Sequence, residues 1–244
     1  MIDYRTDIQK KMITWWQSPL GCSVLKQERS ALQTLSNHFY GNYQFQLGIE
    51  QRLLPEVPLS RMQKIMARSA DIEGSNESLP FKCRAIDVLL LVHVIEFSSD
   101  PHQVLREAER VLVADGTLVL CCFNPWSLWG LRRLFSFKAP PPWHGHFFSQ
   151  TRIKDWLALL NFEVVATKRL VFQPPIRSEK WLTRALRIER IGKRLWPIFS
   201  GVTILVATKR TIPLTPITMY EHVKHLFPTG RLVSKPVARE KKNG

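Results

Sequence analysis

Apolar and polar positions along the chain change period several times, and each change marks an element. Near the N-terminus, after a break at Ser18 to Gly21, Leu25, Leu32, Leu35 and Phe39 recur at helical spacing in LKQERSALQTLSNHF. That stretch predicts an N-terminal helical element over residues 1–42. From Tyr43 to Gly48 the pattern alternates and ends on glycine, which predicts a short strand followed by a turn that exploits glycine's backbone freedom. Ile49 to Ser78 shows no clear period: Pro55 and Pro58 break any helix, and Gln63 to Ala67 is a weak strand. Ile86 to Val92 is a continuous apolar run of the kind a strand shows when both its faces are covered.

A helix start follows. Asp100 can cap, Pro101 suits the first helical position, and Gln103 stands three residues past the cap. Val104, Leu105, Ala108, Val111 and Leu112 then form an apolar stripe, with Arg106, Glu107, Glu109 and Arg110 on the other face. Asp115-Gly116 predicts a turn, and Thr117 to Phe123 a second doubly buried strand. Strand, helix and strand in that order predict a crossover unit of a parallel sheet. Beyond Phe123 come a loop with a short basic helix, a proline-rich loop, an amphipathic helix in TRIKDWLALLNF and a strand from Phe162 to Phe172. A basic helical stretch from Glu179 to Leu195 and a last strand from Gly201 to Arg210 complete an α/β domain spanning residues 43–210. Residues 211–244 read as a basic, flexible tail.

Composition narrows the class. Across 244 residues, 45% are hydrophobic and 23% charged, which excludes collagenous, wholly disordered and disulfide-scaffold proteins. Lys and Arg number 35 against 20 Asp and Glu, a net charge of +15 that predicts attraction to phosphates, nucleic acid or an acidic membrane surface. Cys22, Cys83, Cys121 and Cys122 form no Cys-x-x-Cys pair, so they are expected as reduced thiols in a cytoplasmic setting. The N-terminal MIDYRTDIQKK leads into no apolar stretch of signal-peptide length. The longest apolar run, Val88 to Ile95 with His93 inside it, is far below the roughly 20 residues of a membrane span. His93, Glu96, Asp100 and His102 lack tight ligand spacing, so no metal site is expected.

The segment LPFKCRAIDVLLLVHVIEFSSDPHQVLREAERVLVADGTLVL resembles the second half of a class I S-adenosylmethionine-dependent methyltransferase domain of the type 11 group. A polar stretch precedes Leu79-Pro80-Phe81, a buried strand ends in His93-Val94-Ile95-Glu96, a helix begins at Asp100-Pro101, and the next strand follows Gly116. FNPWSLWGLRR, together with SPLG, DWLALLNFEV and ATKRTIPLTPI, is similar to a YafS-like proteobacterial subgroup. The resemblance implies a Rossmann-like sheet flanked by helices, S-adenosyl-L-methionine as cofactor, and methyl transfer to an unidentified, anionic acceptor. It implies cofactor contacts at Gly48, Ser75, Asn76 and His93 and acceptor-facing residues at Asn124, Trp126 and Trp129; it assigns no catalytic residue. In place of the family's glycine-rich first loop the chain has Leu47-Gly48-Ile49-Glu50. That departure leaves a second reading open, a methyltransferase-like protein without catalysis that acts as a basic interaction module through Arg132, Arg133, the Lys180 to Arg194 stretch and the tail.

Overall fold

The computed structural model of the chain describes residues 11–57, 60–66, 76–136, 142–175 and 199–211. A helical stretch α1 over residues 11–16 leads into α2 (Pro19–Gln33). The strands are β1 (Tyr43–Leu47), β2 (Met62–Met66), β3 (Ile86–Val92), β4 (Leu112–Phe123), β5 (Phe162–Leu170) and β6 (Val202–Lys209). Between them run α3 (Pro101–Val111), α4 (Leu128–Leu134) and α5 (Gln150–Leu159). All strands join one six-stranded sheet in the order β2-β1-β3-β4-β6-β5. β2, β1, β3 and β4 pair in parallel, and β6 lies antiparallel between β4 and β5. The expected α/β class and its β3-α3-β4 crossover are both present. The basic stretch from Glu179 to Leu195 and the tail beyond Thr211 lie outside the described residues.

Local chemistry explains the element ends. The break expected at SPLG falls at Gln17-Ser18, and the rest of the motif starts α2: the Ser18 hydroxyl accepts the Gly21 N–H at 3.2 Å, and Pro19 occupies the first turn. Gly21 is required inside that helix because a Cβ there would lie 2.4 Å from the Trp15 carbonyl oxygen. Asp100 caps α3 by accepting from the Gln103 N–H at 3.0 Å, as expected. The reciprocal half of the capping box differs, since the Asp100 N–H donates to Glu77 Oε1 at 3.3 Å and not to Gln103. At the other end of α3, the buried Lys209 ammonium donates to the carbonyls of Glu109 (2.6 Å) and Leu112 (3.1 Å), which satisfies carbonyls the helix leaves open. β4 starts earlier than its apolar run: Leu112 already pairs with Ile86, and the Asp115-Gly116 turn survives as a bulge inside the strand, with Asp115 at φ 58°.

The sheet separates two apolar layers. Val88, Leu90 and Val92 of β3 face one with Trp15, Trp16, Val24 and Leu32 of the N-terminal helices. Leu89 and Leu91 face the other with Leu105 and Ala108 of α3 and Leu157 of α5. Alternation along a doubly covered strand therefore serves both layers. Tertiary packing extends the buried N-terminal stripe past the end of α2, because Leu35 and Phe39 stay buried beyond Gln33.

The parallel connection from β1 to β2 contains no helix in its described part, residues 48–57 and 60–61. It is held from inside by Gln46, whose amide nitrogen donates to the carbonyls of Ile49 (3.1 Å) and Gln51 (2.7 Å). Its carbonyl oxygen accepts from the N–H groups of Leu53 (2.7 Å) and Leu54 (3.3 Å). The Gln46→Leu substitution strands those backbone groups in a dry interior, so we expect it to lower stability by about 2 to 4 kcal/mol. The urea unfolding midpoint measures this, and a loss within about 0.5 kcal/mol of zero would contradict the role given to Gln46.

Candidate functional site

In an open parallel sheet the usable crevice lies beyond the carboxyl ends of the strands. Three segments meet there: the turn after β1, residues 93–98 after β3, and residues 76–79 before β3. Gly48 ends β1 at φ 112°, a left-handed conformation that glycine adopts without steric cost. A Cβ on it would sit 2.1 Å from the Val92 carbonyl oxygen and 2.8 Å from Val94 Cγ2. The backbone of β1 is thus drawn against the end of β3. Val94 continues the connection, since its carbonyl accepts from the N–H groups of Phe97 (3.2 Å) and Ser98 (3.1 Å).

Glu77 closes the same corner. Its Oε1 accepts from the Ser98 hydroxyl at 2.8 Å, the Ser99 N–H at 3.0 Å and the Ser99 hydroxyl at 2.5 Å. The Ser99 hydroxyl bond is the largest contribution, and despite partial burial these donors bring the carboxyl pKa down to about 2. Its neighbour Asn76, half-buried, is thereby fixed beside the start of α3. Residues 79–81 are clamped from the far side by α3: Arg110 donates to the carbonyls of Phe81 (2.9 Å) and Leu79 (3.0 Å), and Glu107 accepts the Leu79 N–H at 2.9 Å. Ser75 lies outside the described residues.

His93 follows β3 at φ 52°, and its side chain turns inward under the N-terminal helices, leaving the residue 3% exposed. Its Nε2 lies 2.7 Å from Glu28 Oε1 of α2, and its Nδ1 lies 3.0 Å from Glu96 Oε1. Glu96 Oε1 also accepts the Phe123 N–H at 2.8 Å, while the His93 N–H donates to the Cys121 carbonyl at 2.9 Å. The ring is stacked on Phe123 at 4.0 Å, with Trp16 at 5.2 Å. Burial alone would lower the imidazole pKa, but the carboxylates of Glu28 and then Glu96 outweigh it and lift the value to about 9. A histidine held between two carboxylates is protonated at neutral pH and donates through both ring nitrogens. It ties α2, the end of β3 and the end of β4 to one another, and it is not available as a base. Burial, and then Glu28 and Glu96, also raise the Cys121 thiol well above its ordinary range.

Beyond β4, Asn124 makes a local turn: its Oδ1 accepts the Trp126 N–H at 3.1 Å and its Nδ2 donates to the Ser200 carbonyl at 3.0 Å. Asn124 is half-buried and Trp126 is 67% exposed, both just past the carboxyl end of β4. Trp129 does not: it is fully buried, its Nε1 donates to the Gln173 carbonyl at 3.0 Å, and its ring packs with Trp15, Phe123 and Trp143. The His146 N–H donates to the Glu96 carbonyl at 2.8 Å, so residues 142–148 lie over the same end of the sheet.

Gly48, Asn76 and His93 are therefore gathered at one end of the sheet, with Asn124 and Trp126 past β4. Glu28 and Gln46 escaped the sequence reading, and Glu96 entered it only as part of the motif that ends β3 and of the set too loosely spaced for a metal. Glu28 was findable, because it falls on the stripe Leu25, Leu32, Leu35 at the missing helical step, and an acid on an apolar face requires a buried partner. His102 and Asp100 stand apart from His93: His102 packs on Trp156 at 4.2 Å, and Asp100 caps α3.

The raised His93 pKa fixes a sign. Its contribution to stability is present in full below about pH 6.5, where unfolded histidine is also protonated, and is lost as pH rises through about 9. Wild type should therefore lose on the order of 3 kcal/mol more than His93→Gln between pH 6 and pH 9.5, read as denaturant midpoints; parallel profiles would contradict it. Gly48→Ala should cost on the order of 1 to 3 kcal/mol through strain and the Val92 contact, measured by thermal unfolding.

Comparison with known proteins agrees with this architecture. The sequence profile of a methyltransferase domain family matches residues 55–120. The uncharacterized protein YafS of Escherichia coli K12 is 32% identical over 218 residues, covering 87% of this chain and 78% of that protein. Among solved structures, a SAM-dependent methyltransferase of Thermotoga maritima aligns with a TM-score of 0.59 at 20% identity, over 81% of this chain and 93% of that one. A geranyl diphosphate C-methyltransferase of Streptomyces coelicolor, solved with S-adenosyl-L-homocysteine, aligns with a TM-score of 0.50 at 15% identity, over 75% and 79% of the two chains. With its domain match and its likeness to YafS over most of both chains, the chain belongs to the YafS family of proteins, carries a methyltransferase domain, and has the fold of solved SAM-dependent methyltransferases.

Proposed function

We propose that this protein is an active methyltransferase that binds S-adenosyl-L-methionine across the carboxyl ends of β1 and β3 and methylates an acceptor reached past Asn124 and Trp126. The observation that carries this reading is the continuous contact from Gly48 through Val94 and Ser98 to Glu77 and Asn76, which sets a glycine turn and a polar side chain on one rim. These residues fit the cofactor's chemistry: a left-handed glycine leaves room for close backbone approach, and Asn76 offers an amide with donors and an acceptor for a nucleobase edge. Ser75 is its partner in this proposal. The cofactor supplies an electrophilic methyl on a positively charged sulfur; the protein supplies position and exclusion of water.

His93 acts here as a positioning residue. By bonding Glu96, which also holds the Phe123 N–H, it keeps the ends of β3 and β4 in register, and so fixes the distance between the cofactor rim and Asn124. Trp129 supports the acceptor side from behind. The acceptor is proposed to be anionic, on the ground of the +15 net charge. Among the described residues no helix is long and apolar enough to cross a membrane. The free thiols, Cys121 and Cys122 buried among them, support a reducing, cytoplasmic setting.

Thermal unfolding with and without the cofactor tests the proposal. A ligand at about 100 times its Kd adds about 2.7 kcal/mol, a rise of roughly 5 to 10 °C for a domain of this size. Asn76→Ala is expected to shrink that rise while leaving the ligand-free midpoint within about 1 °C of wild type. No rise at millimolar S-adenosyl-L-methionine or S-adenosyl-L-homocysteine would sink the enzyme reading and favour the basic interaction module.

A further inference from the structure

α4 presents an apolar outer face that is unusual for a helix on a water-facing surface. Its two arginines turn toward the protein: the Arg132 guanidinium lies 4.8 Å over the Trp143 ring and bonds the Pro175 carbonyl, and that of Arg133 lies 5.5 Å over Phe147. Its leucines turn outward, while Trp129 is buried on the inner face. Leu128, Leu131, Leu134 and Phe135 fall at helical spacing on one face and are 46%, 50%, 55% and 82% exposed. Trp126, two residues before the helix, extends the stripe at 67%, and Phe199, beside the Ser200 carbonyl that Asn124 holds, is 52% exposed. Scattered exposed leucines need no explanation, but a continuous stripe ending in Trp and Phe does.

We propose that this stripe inserts into the interfacial layer of an anionic lipid bilayer, and so docks the enzyme on a membrane surface with the mouth of its site beside the lipid. Charge selects this occupant over the others. The chain carries +15, which opposes pairing of two copies through a shared patch and favours an anionic surface. The sequence between Pro175 and Phe199 adds seven Lys and Arg against two Glu, and both flanking ends are bonded to the α4 region, through Arg132 to Pro175 and Asn124 to Ser200. Leucines contribute nothing to nucleic-acid backbone contact, whereas leucine with terminal Trp and Phe suits the boundary between headgroups and acyl chains. The inference is independent of methyl transfer, because docking requires no cofactor.

The test is co-sedimentation of the full chain with vesicles of phosphatidylcholine containing one quarter phosphatidylglycerol, compared with phosphatidylcholine alone, at low and at physiological salt. Wild type should bind the anionic vesicles, and the triple variant Leu131→Ser, Leu134→Ser, Phe135→Ser should bind them roughly tenfold or more weakly. The substituted side chains are exposed, and an unchanged unfolding midpoint confirms that the fold is intact. Wild type that does not sediment overturns the proposal. So does a folded triple variant that binds as well as wild type, which would leave only diffuse electrostatic attraction. Self-association lost in the variant without vesicle binding would assign the stripe to a second copy instead.

Discussion

A protonated histidine between two buried carboxylates ties three segments of this fold together at the carboxyl end of its sheet. His93 bonds Glu28 from the N-terminal helix and Glu96 from the loop beyond β3, and Glu96 passes the connection to β4 through the Phe123 N–H. None of these groups is tolerable alone in a dry interior, since an isolated buried charge costs several kcal/mol. Each therefore demands the other two. The requirement converts three segments far apart in sequence into one rigid corner, and it ties the N-terminal helices to the strand ends.

That corner also explains how the sheet manages without the usual covering helix between β1 and β2. The face is filled by α2, whose Val24 and Leu32 share one apolar layer with Val88 and Leu90, and by Trp15 against Phe123 and Trp129, with Trp16 on His93. A tight turn and a short loop suffice for the connection, because the area to be covered is already covered. The aromatic cluster continues through Trp143 and Phe147, so residues 142–148 rest on the same foundation as the strand ends.

Much of this was legible in the residues. The strands at Tyr43–Leu47 and Ile86–Val92 and the capped start of α3 follow from periodicity and hydrogen-bonding chemistry that act within a few positions. Gly48 was legible as the turn glycine that ends β1, because glycine adopts a left-handed strand end without steric cost. The inward turn of His93 was not, because it depends on an acid 65 residues away; nor was the burial of Trp129, which depends on three other aromatic rings. The separation follows a physical line: short-range terms write themselves into local sequence, while the direction in which a polar side chain turns is decided by partners that only the folded chain assembles.

Gln46 carries a different consequence. All four of its bonds in the β1–β2 connection go to main-chain groups, those of Ile49, Gln51, Leu53 and Leu54. A mould that grips only the backbone is indifferent to what most side chains along it happen to be. Provided that positions 49, 53 and 54 remain apolar enough for their buried places, the loop can exchange its other residues while keeping its path. Shape and sequence are uncoupled in the stretch where related domains spend glycines to obtain theirs, and the rim beside it is left free to diversify.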